Sequence, residues 1–266
     1  MPVHDLYQPV LDLMRGVARD IMMPRFRKLA ADQFAEKSPG DFVTIVDRES
    51  EARLSEALGR LLPGARIIGE EAAAADPAIV DHVGDGVAWI IDPLDGTNNF
   101  TEGHSPFAIM IGLAVDGARE AGWIYDPVID RIVHAARGRG CFIDGERVRA
   151  RRSADGLPKA AIATYFMPAD RQADVRRRAE GRLEIVDIPR CAGEQYPRLI
   201  LGANDIALFE RTHVWDHAAG ALMLEEAGGT IARNDGAPYR LDVPGKGAIA
   251  ANSPETWALA KAVLFD

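Results

Sequence analysis

The 266-residue chain has few cysteines, no long apolar run and no excess of positive charge, and each shortage removes a class of protein. Its two cysteines, Cys141 and Cys191, are too few for a disulfide framework and lack metal-ligand spacing, so a reducing cytoplasm is the expected compartment. The longest clean apolar run, Phe107 to Val115, contains a glycine and falls well short of the roughly 20 residues that span a bilayer. Between Met1 and Leu11 stands one acidic residue, Asp5, and no Lys or Arg, where a signal peptide carries basic ones, so neither secretion nor a membrane span is expected. Lys and Arg number 31 against 40 Asp and Glu, and the net charge of −9 is the opposite of a general nucleic-acid binder's footprint. There is no internal repeat and no low-complexity tract. What remains is an ordinary globular composition, 47% hydrophobic and 27% charged, in a chain long enough for one large domain or two intimate lobes.

Leu6, Val10, Met14, Val17 and Ile21 recur every three or four positions, which predicts an amphipathic helix from Val3 to about Ala31, interrupted near Pro24. A second helix is expected from about Asp47 to Leu62, with Leu54, Leu58 and Leu61 on one face and Pro63-Gly64 as its stop. A short strand, Ala65 to Ile68, then leads to Gly69-Glu70-Glu71, and a strand from Val87 to Ile91 runs into Asp92-Pro93-Leu94-Asp95-Gly96-Thr97. Strands at Phe107–Val115, Ala121–Tyr125, Arg131–Ala135 and Gly140–Ile143, punctuated by Asp116-Gly117, Asp126-Pro127 and Asp144-Gly145, predict an antiparallel meander. The Arg-rich stretch from Val148 to Gly156 reads as a surface connection between lobes, 1–146 and 147–266. A helix from about Asp216 to Ala227 closes at Gly228-Gly229. The order of elements reads as α+β, or layered α/β/α.

The chemistry concentrates at Trp89 to Phe100, where a strand ends on one carboxylate, Asp92, and a second, Asp95, follows three residues later before a glycine. Pro93 bends the chain between them, so both carboxylates can converge on one point. Thr97, Asn98 and Asn99 are good helix-capping types, and a helix start with free N–H groups is an anion site. Carboxylates and phosphate repel unless cations lie between them, and oxygen-only ligand sets select hard ions such as Mg2+. The plain alternative is a pair of turns; Asp126-Pro127-Val128-Ile129-Asp130 repeats the Asp-Pro step with a second carboxylate nearby, but without a glycine or helix start, and reads as a hairpin turn. Glu70 after a strand and Asp216 at a helix start are each explicable as a solvated charge and a helix cap, yet together with the central turn they supply the ligands of a multi-metal site.

In order and spacing, Gly69-Glu70-Glu71, Asp92 to Phe100 and Trp215-Asp216-His217-Ala218-Ala219-Gly220 resemble the three signatures of the inositol monophosphatase family. Val43-Thr44-Ile45-Val46-Asp47 and the Gly122–Gly145 meander with Tyr125-Asp126-Pro127 are similar to it too, so the resemblance runs from about Leu6 to Leu264. It implies a layered α-β-α-β-α fold of the inositol monophosphatase and fructose-1,6-bisphosphatase type, in a Mg2+-dependent, lithium-sensitive phosphomonoesterase that is commonly a homodimer. By the same resemblance Glu70, Asp92 and the Leu94 carbonyl would hold a first ion, and Asp92, Asp95 and Asp216 a second. Asp47 would adjoin the nucleophilic water and help hold a weaker third ion. Thr97 would polarise that water, and the N–H groups of Gly96 and Thr97 would cradle the phosphate. Inositol monophosphate is the expected substrate, with Gly193, Glu194 and Glu210 at the contact positions. Two departures bear on substrate: Gly193-Glu194 continues with the bulkier Gln195-Tyr196-Pro197-Arg198, and Glu210 lies one residue nearer Asp216 than in the animal enzymes. Histidinol phosphate, fructose 1,6-bisphosphate and phosphoadenosine phosphate are served by the same fold.

Competing readings explain less. A haloacid-dehalogenase-type phosphatase needs aspartates two apart, whereas Asp92 and Asp95 are three apart and Pro93 fills the nucleophile's position. A cysteine phosphatase loop would need arginine where Pro197 stands after Cys191, so that thiol reads as buried or incidental. His213 and His217 flank Asp216 and read as polar packing at a helix start, not a zinc site. Gly138-Arg139-Gly140 leads into a strand and is no dinucleotide fingerprint. A non-enzymatic member using basic clusters at Arg147–Arg152 and Arg171–Arg182 as a binding surface is the alternative from another class.

Overall fold

The structure, a computed structural model, describes residues 4–30, 33–38, 41–153 and 156–266. Helix α1 (Tyr7–Val17) passes into a π-helical turn, Ala18–Met22, in which the Met23 N–H donates to the Ala18 carbonyl at 2.9 Å. Pro24 cannot continue the ladder, so the expected Val3–Ala31 helix ends there; Val3 and Ala31 themselves lie outside the described residues. An antiparallel pair, β1 (Phe34–Ser38) and β2 (Asp41–Thr44), precedes α2 (Ile45–Leu61). Thr44 and Asp47 start α2 as a reciprocal capping box, the Thr44 hydroxyl accepting from the Val46 N–H at 3.0 Å and Asp47 Oδ2 accepting from the Thr44 N–H at 2.8 Å.

Then come β3 (Arg66–Gly69), α3 (Glu70–Ala75), a 3-10 segment (Pro77–Gly84), β4 (Val87–Asp95), the short α4 (Thr97–Thr101), and the meander β5 (Ala108–Val115), β6 (Ala118–Asp126), β7 (Arg131–Ala136), β8 (Gly140–Ile143) and β9 (Glu146–Val148). These strands make a seven-stranded sheet in chain order, with β3 and β4 parallel and the others antiparallel. The expected boundary between residues 146 and 147 falls inside β9, whose pairing carries the first sheet on to Val148. The second half contributes β10 (Lys159–Ile162), α5 (Ala169–Ala179), β11 (Glu184–Val186), α6 (Ala192–Leu201), β12 (Ile206–Phe209), α7 (Val214–Glu226), β13 (Thr230–Arg233), β14 (Ala248–Ala251) and α8 (Pro254–Leu264). Its five strands order as β11-β10-β12-β14-β13 in a mixed sheet.

Alternation along the strands sorts the core into layers. Trp89, Ile91, Ile109 and Ile111 face α1 and α2, where each fully buried leucine such as Leu54 or Leu58 contributes about 1.5–3 kcal/mol. Ala88, Ile90, Ala108 and Met110 face the opposite way, onto α6 and α7, whose other sides meet Ala207, Ala248 and Ala250 of the second sheet. Ile162, Ile206, Leu208 and Ile249 cover that sheet's far face with α5 and α8. The result is the layered α-β-α-β-α arrangement. Helix α7 lies close on the first sheet because paired glycines open the way: a Cβ on Gly112 would stand 2.9 Å from the Ala218 Cβ, and one on Gly122 would stand 2.8 Å from the Ala219 Cα. This contact fixes the start of α7, and with it Asp216, over the ends of β4 and β5. Among the described residues no helix is long and apolar enough to cross a membrane.

Candidate active site

Residues three apart on a regular strand point to opposite faces, yet Asp92 and Asp95 line one cavity of about 560 Å³. The reason is a bulge: Asp92 pairs with Met110 and Asp95 with Ala108, so one extra residue is inserted at Pro93-Leu94 and reverses the alternation. Beside them, Gly69 pairs with Ile91 in the parallel neighbour strand, which sets Glu70 alongside Asp92 at the same sheet end. Glu70 and Asp216 line the same cavity. The aim of Glu70 depends on a buried carboxylate that the sequence did not single out. Glu51 on α2 accepts the Glu71 N–H at 2.7 Å and the Ala72 N–H at 2.8 Å, capping α3 from outside. Glycine at position 69 leaves room for that carboxylate, which a Cβ there, 2.3 Å from Glu51 Cδ, would displace.

Four carboxylates act on Asp92. Burial first, then the charges of Glu70, Asp95, Asp216 and Asp47, push its pKa well above the ordinary aspartate range. Asp47 is raised to about 6, chiefly by burial and against the hydrogen bonds it accepts from Thr44. The Thr97 hydroxyl stands 3.0 Å from Asp47 Oδ1 and 2.9 Å from the Leu94 carbonyl oxygen, joining α2, the β4 bulge and α4 at one point. Gly96, at φ +86°, makes the turn into α4, and a Cβ there would stand 3.0 Å from the Pro106 carbonyl oxygen.

Asp95 is raised by burial and opposed by donors around it: Cys191 Sγ at 3.0 Å and the Gly193 N–H at 2.6 Å both reach Oδ2, and the Ala192 and Gly96 N–H groups add to them. Cys191 is thus buried, as its sequence context suggested, but not incidental. Gly193 comes this close because it lacks a Cβ, which would stand 2.7 Å from the Ala108 Cβ. Among the described residues no three His, Cys, Asp or Glu side chains already share an ion-sized point. The Asp95 and Asp47 carboxylates are instead engaged by the protein's own donors. In chemistry the set is all oxygen and strongly acidic, which fits a hard divalent cation.

The other expected residues divide. Glu210 lines the cavity, with Oε1 3.6 Å from Arg171 Nη1 and a buried Oε2 that has no hydrogen-bond partner among the described residues. Glu194, expected at a substrate contact, is not among the residues that line it: Arg131 holds its Oε2 and Arg198 its Oε1, the latter at 2.9 Å, in an internal ion-pair network. His217 is a core histidine, accepting from the Tyr196 hydroxyl at 2.7 Å on Nδ1 and donating from Nε2 to the Arg211 carbonyl at 3.1 Å. At Asp126 the carboxylate folds back on the Val128 N–H at 2.8 Å, making the hairpin turn.

The model of the Inositol monophosphatase family matches residues 4–264. The chain belongs to the inositol monophosphatase family. An inositol-1-monophosphatase from Bacillus subtilis is 33% identical over 208 residues, 77% of each chain. The Nus factor SuhB of Pseudomonas aeruginosa is 32% identical over 260 residues, 92% of each. In structure, the extragenic suppressor protein suhB from Bartonella henselae superposes with a TM-score of 0.80 at 26% identity, over 97% of this chain and 96% of that one. The acidic cavity therefore lies in an inositol monophosphatase fold.

Proposed function

We infer that this protein is a Mg2+-dependent phosphomonoesterase that hydrolyses a small phosphate ester, with inositol monophosphate the first substrate to test. One observation carries the reading: Asp92 is buried among four further carboxylates, Glu70, Asp95, Asp216 and Asp47, an arrangement that repels itself unless cations neutralise it. Family membership alone leaves a second role open, since relatives carry both enzyme and Nus-factor names; the carboxylate cluster favours the enzyme.

Glu70, Asp92 and the Leu94 carbonyl would hold one ion, and Asp92, Asp95 and Asp216 another, with Asp47 available to a third. Bound divalent ions would lower the pKa of water and offset charge on the leaving oxygen. The chain's own part is to orient and to hold protons. The Thr97 hydroxyl, steadied between Asp47 and the Leu94 carbonyl, positions the attacking water, and Asp47 accepts the proton. The Thr97 N–H at the start of α4 would receive the phosphate, and the Gly96 N–H, which here donates to Asp95, would join it once that carboxylate turns to a cation. Burial of Asp92 keeps bulk water from screening these charges.

The test is phosphate release from inositol 1-phosphate, histidinol phosphate, fructose 1,6-bisphosphate and phosphoadenosine phosphate, with Mg2+ and with chelator. Asp95→Asn should lower kcat/KM at least about a hundredfold while far-UV circular dichroism stays that of the wild type. Near-normal turnover in that variant, or release that persists in chelator, overturns the assignment.

A further inference from the structure

The cavity has an acidic floor and a basic mouth, and the proposed reaction accounts only for the floor. Arg190 lines the cavity, is exposed, and has no hydrogen-bond or ion-pair partner among the described residues. Its backbone is left-handed, at φ +54°, a conformation that non-glycine residues seldom adopt and that here points to a fixed setting. Both neighbours are pinned. The Pro189 carbonyl accepts from Asn99 Nδ2 at 3.0 Å, and Cys191 is tied to Asp95. Arg211 lines the same cavity from another segment, its carbonyl held by the buried His217. Both guanidinium charges act on the Tyr165 hydroxyl, which also feels Asp216 and Asp95, so the arginines stand within electrostatic range of the acidic floor.

Resting on the phosphatase reading, we propose that Arg190, with Arg211 on the same cavity, binds a second anionic group of the substrate, a carboxylate or a second phosphate. The protein then prefers phosphate esters that carry a second anionic group to phosphates of neutral polyols. The scissile phosphate belongs at the buried floor, with the carboxylates, the cations they hold and the start of α4. An exposed guanidinium at the mouth is left for a different negative group, which its planar fork suits. The α6 side of the cavity argues in the same direction. Glu194 is engaged by Arg131 and Arg198, and Gln195 Nε2 donates to Asn204 at 3.0 Å, so this segment directs its polar groups into the fold and offers a polyol less.

The experiment compares kcat/KM in Mg2+ for two pairs: glycerol 2-phosphate with glycerate 2-phosphate, and fructose 1-phosphate with fructose 1,6-bisphosphate. The first pair tests a carboxylate as the second anion and the second pair a phosphate. Wild type should favour the member with the second anionic group in at least one pair by about tenfold or more, expressed in KM, as expected for a charge-assisted contact. Added salt should weaken that preference. Arg190→Gln should bring it to within about twofold, and Arg190→Lys should restore part of it. Equal kcat/KM within both pairs, or a preference that survives Arg190→Gln, overturns the proposal while leaving the phosphatase reading in place. No release from any of the four esters overturns the proposal, and only if inositol 1-phosphate, histidinol phosphate and phosphoadenosine phosphate also release nothing does the phosphatase reading fall with it.

Discussion

His134 offers a test of the fold's physics far from the cavity. On β7 it is buried, its ring 4.1 Å from the Tyr7 ring and 5.3 Å from that of Phe142, and neither nitrogen has a hydrogen-bond partner among the described residues. Burial lowers its pKa from 6.5 to about 4. Between those values the unfolded chain binds a proton that the folded chain refuses, so stability falls as pH drops below 6.5 and levels off only below about 4. Integrated from near pH 7 to near pH 5, this one residue costs about 2 kcal/mol. His134→Phe keeps the stacked ring and removes both the titration and a buried N–H without an acceptor. It should be more stable than wild type near pH 7 by about 1–2 kcal/mol, after allowing for a slightly larger ring. That margin should widen by about 2 kcal/mol near pH 5, read from urea unfolding with unchanged m-values. The raised pKa values of Asp47, Asp92 and Asp95 are common to both proteins and cancel in the difference. A variant that loses stability in parallel with wild type on acidification, or is the weaker at both pH values, refutes the reasoning.

Two further predictions concern the cavity. Glu51→Ala removes both external caps of α3 and should cost about 2 kcal/mol in urea unfolding, with a higher Mg2+ concentration for half-maximal phosphate release because Glu70 is the first residue of that helix; unchanged stability and Mg2+ dependence would refute the positioning role. Asp92→Asn removes a buried charge that four neighbours repel, while an asparagine Oδ1 can still accept the Leu94 N–H. In chelator this inactive variant should melt higher than wild type by about 2–4 °C, the shift expected for roughly 1 kcal/mol, and Mg2+ should reverse the order. A variant that melts lower than wild type in chelator would show that the cluster is not electrostatically strained.

Strong periodicity made much of the fold legible. The meander from β5 to β8 and helices α2 and α7 carry clear apolar alternation or heptad-like spacing, bounded by glycine, proline and aspartate. The β1–β2 pair and β9 escaped because strands of 5, 4 and 3 residues carry too little pattern to be separated from turns. The four acidic cavity residues were legible because each sits beside a local signal, a strand end, a glycine or a helix start. Side-chain partners distant in sequence were not. Nothing near Glu194 announces that Arg131, 63 positions earlier, holds its carboxylate. Likewise Glu51 gives no sign that it caps a helix 20 residues later, though the Thr44-x-x-Asp47 box beside it has the sequence form of a helix start.

The net charge of −9 takes on a different meaning once these positions are known. Taken over the whole surface, an acidic protein repels phosphate, and such a balance would argue against any anionic ligand. The negative charge that matters is, however, concentrated on five side chains whose backbones are fixed by unrelated devices: a capping box at Asp47, an external cap beside Glu70, a bulge between Asp92 and Asp95, and glycine-cleared helix packing near Asp216. Together these devices hold Asp92 where its neighbours raise its energy, so the fold bears a standing electrostatic cost that divalent cations would remove. A cation bound there reverses the local sign and turns the least welcoming point for a phosphate into the most welcoming one. The exposed Arg190 extends that reversal to the mouth, where no cation is needed. The excess of acid over base is therefore compatible with a small anionic substrate and remains unfavourable for nucleic acid, because only the cavity, and not the outer surface, changes sign.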